Sequence, residues 1–287
     1  MSFSREVGQT IVGRQVSDGA GVSLTRVIGA HPVLNLDPFL LFDEFRSDDP
    51  NDYISGFPAH PHRGFETVTI VYQGEVAHRD STGQGGVIGP GGVQWMTAGA
   101  GILHEEFHSP AFTYQGGHLE MIQLWVNLPA ADKMTPPSYQ GITREQIPVV
   151  PLDDGKGEIR VIAGDYQGHK GPARTFSPML VWDVTVQAHA NVVLDVPDGW
   201  NTAVIARSGS TLINEHARTA AGQMVVLSAT GDQVQIQAEA ESQLLLIAGE
   251  PLNEPVEGYG PFVMNTKEEI RQAIRDFQQG DFGKMSS

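Results

Sequence analysis

The chain reads as an all-β protein made of two barrel-like domains and closed by one helix. Three observations predict this. Short runs of β-branched and aromatic residues with period-two alternation recur along most of the 287 residues, with 33 glycines between and beside them. The same pattern occurs on both sides of a proline-containing segment that has no strand period. A helical period shows only near the C-terminus.

Composition sets the outer limits. Hydrophobic residues at 40% and charged residues at 18% suffice for one large core or two ordinary ones. Asp and Glu number 34 against 18 Lys and Arg, a formal charge of −16, which opposes direct contact with nucleic acid or an anionic membrane surface. The absence of cysteine rules out disulfides and thiolate metal sites, so any metal must be held by imidazole and carboxylate. No run approaches the roughly 20 apolar residues of a membrane span, and Met1 to Val7 has no apolar core. The expectation is a soluble, cytoplasmic protein.

In chain order, Gln9 to Val16 and Val22 to Gly29 predict short strands, and the apolar run Phe39 to Phe45 a buried one. Asp48 to Asp52 is turn chemistry. Glu66 to Tyr72, Val76 to Asp80 and Leu119 to Asn127 predict further strands, with a glycine-dense turn from Gly83 to Gly92. Gly99-Ala100-Gly101 lacks the Gly-Lys-Ser/Thr ending of a phosphate loop. Leu128 to Ser138 reads as a linker, which divides the chain into domains 1–132 and 139–287. Strands resume at Ile159 to Gly164, Met179 to Val186, Asn191 to Pro197, Asn201 to Ala206, Met224 to Leu227, Gln233 to Ile236 and Gln243 to Gly249. Finally Thr266-Lys267-Glu268-Glu269 forms a capping-box signature. Ile270, Ala273, Ile274 and Phe277 then share one helical face, and Gly280 stands where a helix-ending glycine belongs.

Chemistry concentrates between His60 and Glu106. Successive strand side chains point to opposite faces, so His60 and His62 share a face, as do His104, Glu106 and His108, while Glu105 points away. Two such pincers facing each other in a barrel bring imidazoles and a carboxylate to one point, the ligand set of a divalent transition metal. His169, His189 and His216 in the second half form no such pair, so only the first half carries a complete site.

The runs His60 to Val68, Gln94 to Gly99, Gly101 to His104, Leu124 to Leu128, Gly249 to Leu252 and Gly260 to Thr266 resemble the pirin family of the cupin superfamily, from about Leu34 to the C-terminal helix. The resemblance implies a bicupin: two facing jelly-roll barrels, with a single metal in the N-terminal one. Matched position by position, it implies His60, His62, His104 and Glu106 as the ligands. A general cupin motif would instead place the carboxylate at Glu66, which alternation from His62 puts on the same face. Glu66 is then an orienting group or an alternative base, and His108 a rim residue.

Three imidazoles and a carboxylate suit Fe, Ni, Cu, Mn or Zn, and iron is the first choice because six-coordinate geometry leaves positions open beside four protein ligands. Phe57, Phe65, Trp95, Met96 and Phe107 are candidates for an apolar pocket wall. The resemblance implies a dioxygenase that opens the heterocycle of a flavonol such as quercetin; that chemistry needs a base, for which Glu106, leaving the metal, is the first candidate and Glu66 the second. The alternative is a metal- or redox-sensing regulator acting through a protein partner. An open pocket of aromatic-ring size over the metal favours the enzyme; a filled one favours the regulator.

Overall fold

The computed structural model describes residues 3–29 and 36–285, and two compact units emerge among them. The N-terminal unit holds Gln15–Gly29, Phe39–Arg144 and the segment from Asn253 onward. The C-terminal unit holds Glu145–Leu252 and the segments ending at Arg14 and at Pro38.

Both units are built alike. In the N-terminal unit a seven-stranded sheet runs in the order Ser138–Ile142, Val93–Thr97, Phe65–Gln73, Leu119–Asn127, Phe39–Ser47, Val22–Ile28 and Arg14–Asp18. Its companion has four strands, Phe57–His62, Ile102–Phe107, Val76–Asp80 and Gly85–Ile88. Phe45, Tyr53, Val71, Leu119 and Met121 fill the space they enclose. The C-terminal unit repeats the seven-plus-four plan, its larger sheet running from Val7–Val12 through Gln223–Leu227, Asn201–Ser208, Ser242–Gly249, Met179–Val186 and Gly157–Ala163 to Val149–Pro151. Trp182, Ile159, Leu194, Val204 and Leu246 form its core. The all-β class with a C-terminal helix is therefore what the chain adopts.

The units are not the continuous segments 1–132 and 139–287. Val7–Val12 pairs with Gln223–Leu227, Ser138–Ile142 pairs with Val93–Thr97, and the chain from Asn253 onward belongs to the N-terminal unit. Each larger sheet takes an outer strand from across the expected boundary. A sheet edge carries unpaired N–H and C=O groups and accepts any strand of suitable register, so linker composition does not encode which edge is served. The linker is also pinned. Lys133 is fully buried, and its Nζ donates to the Gly64 carbonyl (2.8 Å), Asn127 Oδ1 (2.7 Å) and the Val263 carbonyl (3.0 Å).

The helix spans Lys267–Gln279, with the Thr266–Glu269 capping box formed and Gly280 left-handed at φ 87°. Ile270 and Ala273 pack on Phe262, Met264 and Phe282, whereas Phe277 stays 39% exposed. Buried Arg63 ties the helix to the His60–His62 region. Its Nε donates to the Ala100 carbonyl (2.7 Å), its Nη1 to Asp276 Oδ2 (2.7 Å), and its guanidinium lies 4.7 Å from the Phe282 ring centre. The hydrogen bond from Arg63 holds the Asp276 carboxyl below its usual range. A short second helix, Pro110–Gln115, has too few residues to show a period in the sequence; Ser109 caps it.

Candidate metal centre

The His60 strand, Phe57–His62, pairs antiparallel with Ile102–Phe107 so that His60 stands directly opposite His104 and His62 opposite Ile102. Directly opposed residues share a face, and in Ile102–Phe107 burial alternates strictly, with Ile102, His104 and Glu106 inward. The three imidazoles therefore converge. Ring centres lie 4.7 Å apart for His60 and His62, 4.3 Å for His60 and His104, and 4.7 Å for His62 and His104, with one potential ligand atom from each within 4.8 Å of the others.

Their protonation suits a ligand set. His62 and His104 are buried, and burial first, then the neighbouring imidazoles, pushes both well below the ordinary histidine value, leaving them neutral. His60 Nδ1 lies 2.8 Å from the Pro58 carbonyl. A carbonyl only accepts, so Nδ1 donates and Nε2 is the nitrogen left to face a ligand. Among the described residues, His62 Nδ1 and both nitrogens of His104 have no hydrogen-bond partner. Buried polar atoms without partners are costly, and three imidazoles sharing one space with such nitrogens fit a divalent transition metal.

Glu106 is buried on the same face, past a β-bulge that separates it from His104. Its carboxylate lies outside the three-imidazole group and accepts from Gln123 Nε2 at 3.0 and 3.3 Å and from Thr69 Oγ1 at 3.4 Å. Gln123 Oε1 in turn accepts from Trp125 Nε1 at 3.3 Å.

Glu66 stands elsewhere. Gly64, at φ 86°, turns the chain between Phe57–His62 and Phe65–Gln73, so alternation does not carry through from His62. A side chain there is excluded, because its Cβ would stand 1.9 Å from the Val263 carbonyl oxygen. After the turn, Phe65 meets His62 and Thr69 meets Glu106, which puts Glu66 on the opposite sheet face beside Thr97. There Thr97 Oγ1 donates to Oε1 (2.8 Å), Oε2 has no partner among the described residues, and burial raises the carboxyl to about 7.

A cavity of about 630 Å³ opens onto His60 and His62, within the usual range of small-molecule sites. Phe57 and Trp125 form its aromatic walls, and Gln123 and the Arg26–Asp43 ion pair (2.8 Å) its polar ones. Of the five residues expected to line it, Phe57 alone does, and Phe107 stands at a separate small cavity beside His108. Phe65 lies behind Trp125, ring centres 4.3 Å apart. Met96 packs with Ala98, Ile102 and Tyr139, and Trp95 shares the Glu66 face; both are fully buried, as large apolar side chains in a central strand tend to be. His108 has its two nitrogens against the Glu75 and Tyr53 carbonyls (2.9 and 3.0 Å), away from the imidazole group.

Gln123, Trp125 and His78 were missed in the sequence. The alternation of Leu119–Asn127 puts Gln123 and Trp125 on one face, which was a usable signal. His78, alone in its strand, offered none. It is buried opposite Glu106, stacked on Tyr139 at 5.3 Å, with its ring 5.5 Å from that of His104 and its Nε2 3.6 Å from Asp80 Oδ2.

A histidine pair facing a third imidazole within the N-terminal unit offers a ligand set that could hold a metal ion. Comparisons with known proteins then give the family. Residues 21–126 match the Pirin model and residues 181–283 the Pirin C-terminal cupin domain. The chain is 53% identical over 250 residues to a candidate quercetin 2,3-dioxygenase of Pseudomonas aeruginosa, covering 86% of this chain and 87% of that one. It is 41% identical over 288 residues to pirin of Homo sapiens, covering 99% and 96%. A crystal structure of quercetin 2,3-dioxygenase from Acinetobacter baumannii superposes with a TM-score of 0.93 at 45% identity, covering 99% of this chain and all of that one. The chain belongs to the pirin family.

Proposed function

We propose that this protein is a metal-dependent dioxygenase that opens the heterocycle of a flavonol with O₂, with His60, His62, His104 and Glu106 holding one metal, iron first among the candidates. The observation that carries the reading is the cavity, which has the size for a flat aromatic molecule and reaches two of the three imidazoles. The names of the Pseudomonas and Acinetobacter relatives support the substrate class. A metal held by these residues would supply Lewis acidity and lower the pKa of a flavonol hydroxyl.

The chain's own residues do the rest. Trp125 and Phe57 hold the rings between apolar faces, and Arg26, Asp43 and Gln123 offer polar atoms to ring hydroxyls. Glu106 accepts the proton of the ring hydroxyl, with Gln123 and Thr69 keeping its carboxylate in place. Glu66, on the other sheet face, takes no part. The test is to load the apo-protein with iron, nickel or copper and to follow quercetin absorbance together with oxygen uptake. Metal-dependent turnover, lowered in Glu106→Gln, supports the reading. No turnover in any metal form, with the cavity intact, refutes it and favours a regulator that works through a protein partner.

A further inference from the structure

The C-terminal unit has a cavity of its own, about 840 Å³, lined by Trp182, Trp200, Asp165, Asp195, Asp232 and Lys170 among others. The strands that correspond in sheet order to the two histidine strands are Asn191–Asp195 and Gln233–Ala238. Their buried, mutually paired residues are Val192 with Ile236 and Leu194 with Val234. Those side chains cannot ligate a metal, so any ligand here is held by the cavity walls alone.

The walls are distinctive in charge and shape. Three carboxylates face one ammonium, and none of the three forms an ion pair with a lysine or arginine among the described residues. Each is positioned through one oxygen: Asp165 by the Gly168 N–H (2.8 Å), Asp195 by Gln233 Nε2 (3.2 Å) and Asp232 by the Phe3 N–H (2.7 Å). Burial, then the charges of Asp153 and Asp195, pushes the neighbouring Tyr166 hydroxyl above its usual value, in keeping with an anionic surrounding. Trp182 lines the cavity at 1% exposure, braced edge-on by Tyr166 at 5.2 Å, and its indole Nε1 has no partner among the described residues. Trp200 is fixed from behind, because Arg5 Nη1 donates to its carbonyl at 2.6 Å. The Arg5 Nη atoms donate to backbone carbonyls and the guanidinium charge acts on Asp232 without an ion pair, which leaves Asp165 and Asp195 as the carboxylates open to a ligand.

We propose that this cavity is a second small-molecule site, selective for an aromatic or alkyl ammonium cation. The partly exposed indole of Trp200 attracts a cation through its quadrupole, the carboxylates supply opposite charge, and a flat or compact apolar body fills the space between them.

The probe is benzyltrimethylammonium, which has no lone pair and therefore cannot act as a metal ligand in the other unit. The protein is the full chain, metal-loaded and labelled with 5-fluorotryptophan. We expect the cation to shift the fluorine resonances of Trp182 and Trp200 and to leave those of Trp95 and Trp125 in place. Benzyl alcohol and benzoate should bind about tenfold more weakly or not at all. The double variant Asp165→Asn, Asp195→Asn, at two exposed positions, should weaken the cation about tenfold without changing the metal content. Trp200→Leu should weaken it in the same way. The proposal is overturned by no binding at millimolar cation, by equal affinity for the neutral or anionic probe, by shifts at Trp125 instead, or by unchanged affinity in the carboxylate variant.

Discussion

Replacing Gln123 by methionine keeps the volume of a buried side chain and removes the donor that holds Glu106. The Gln123 amide reaches both carboxylate oxygens, at 3.0 and 3.3 Å, and the one other donor to them among the described residues is Thr69 at 3.4 Å, near the limit for a hydrogen bond. A hydrogen bond to a charged group contributes about 1.5–3 kcal/mol. Residues that orient a metal ligand change affinity by about 10–100-fold, which is the same energy within error. Trp125 loses an acceptor at 3.3 Å, but its ring is half-buried and water can replace the amide. The assay is a competition titration of the apo-protein against a chromophoric chelator, with Glu66→Gln as the control and the apo melting temperature as a check on folding. A dissociation constant within a factor of about three of the native value, or an equal loss in the control, would refute both the orienting role and the place of Glu106 among the ligands.

Three further outcomes are expected. His104→Ala should remove nearly all bound metal in elemental analysis while the apo-protein stays folded, since neither ring nitrogen makes a hydrogen bond among the described residues that the substitution would break. Glu66→Gln should keep the metal and flatten the pH dependence of stability. Burial raises this carboxyl from 4.5 to about 7, so the folded chain binds more protons than the unfolded chain between those values and the native protein loses up to about 3 kcal/mol as pH rises through that window. Denaturant midpoints at pH 5 and pH 8 check this, and equal slopes in both proteins count against it. Arg63→Met should cost about 3 kcal/mol by breaking a pair whose side chains are 5% and 17% exposed, and limited proteolysis should then cut near the helix first. The Asp276 share of that stability is present above the ordinary carboxylate pKa and is lost as pH falls through the lowered folded value.

How far the sequence reaches depends on the range of the interaction. Alternation is local, and it located the strands that carry His60, His62, His104 and Glu106; Thr266, Glu269 and Gly280 are local signals too, and the helix begins and ends where they stand. Glu66 failed because one glycine, Gly64, turns the chain between two strands and breaks the parity count that ran through it. Trp95 and Met96 failed because an apolar side chain looks the same in sequence whether it faces a cavity or a core. The domain boundary failed because Val7–Val12 and Ser138–Ile142 find their neighbours across the linker, and nothing in a strand's own residues names its partner.

The crossing of the chain ends has a consequence for biosynthesis. Arg63 leaves the ribosome early, whereas the carboxylate that neutralises it follows 213 residues later. Phe262, Met264 and Phe282, which cover that side of the N-terminal unit, also come from the last stretch to be made. The part of the protein that carries the three imidazoles is therefore translated first and finished last. A nascent chain stalled before Asn253 displays all three imidazoles in an incomplete unit, so the packing around them closes only once the last stretch of chain is released.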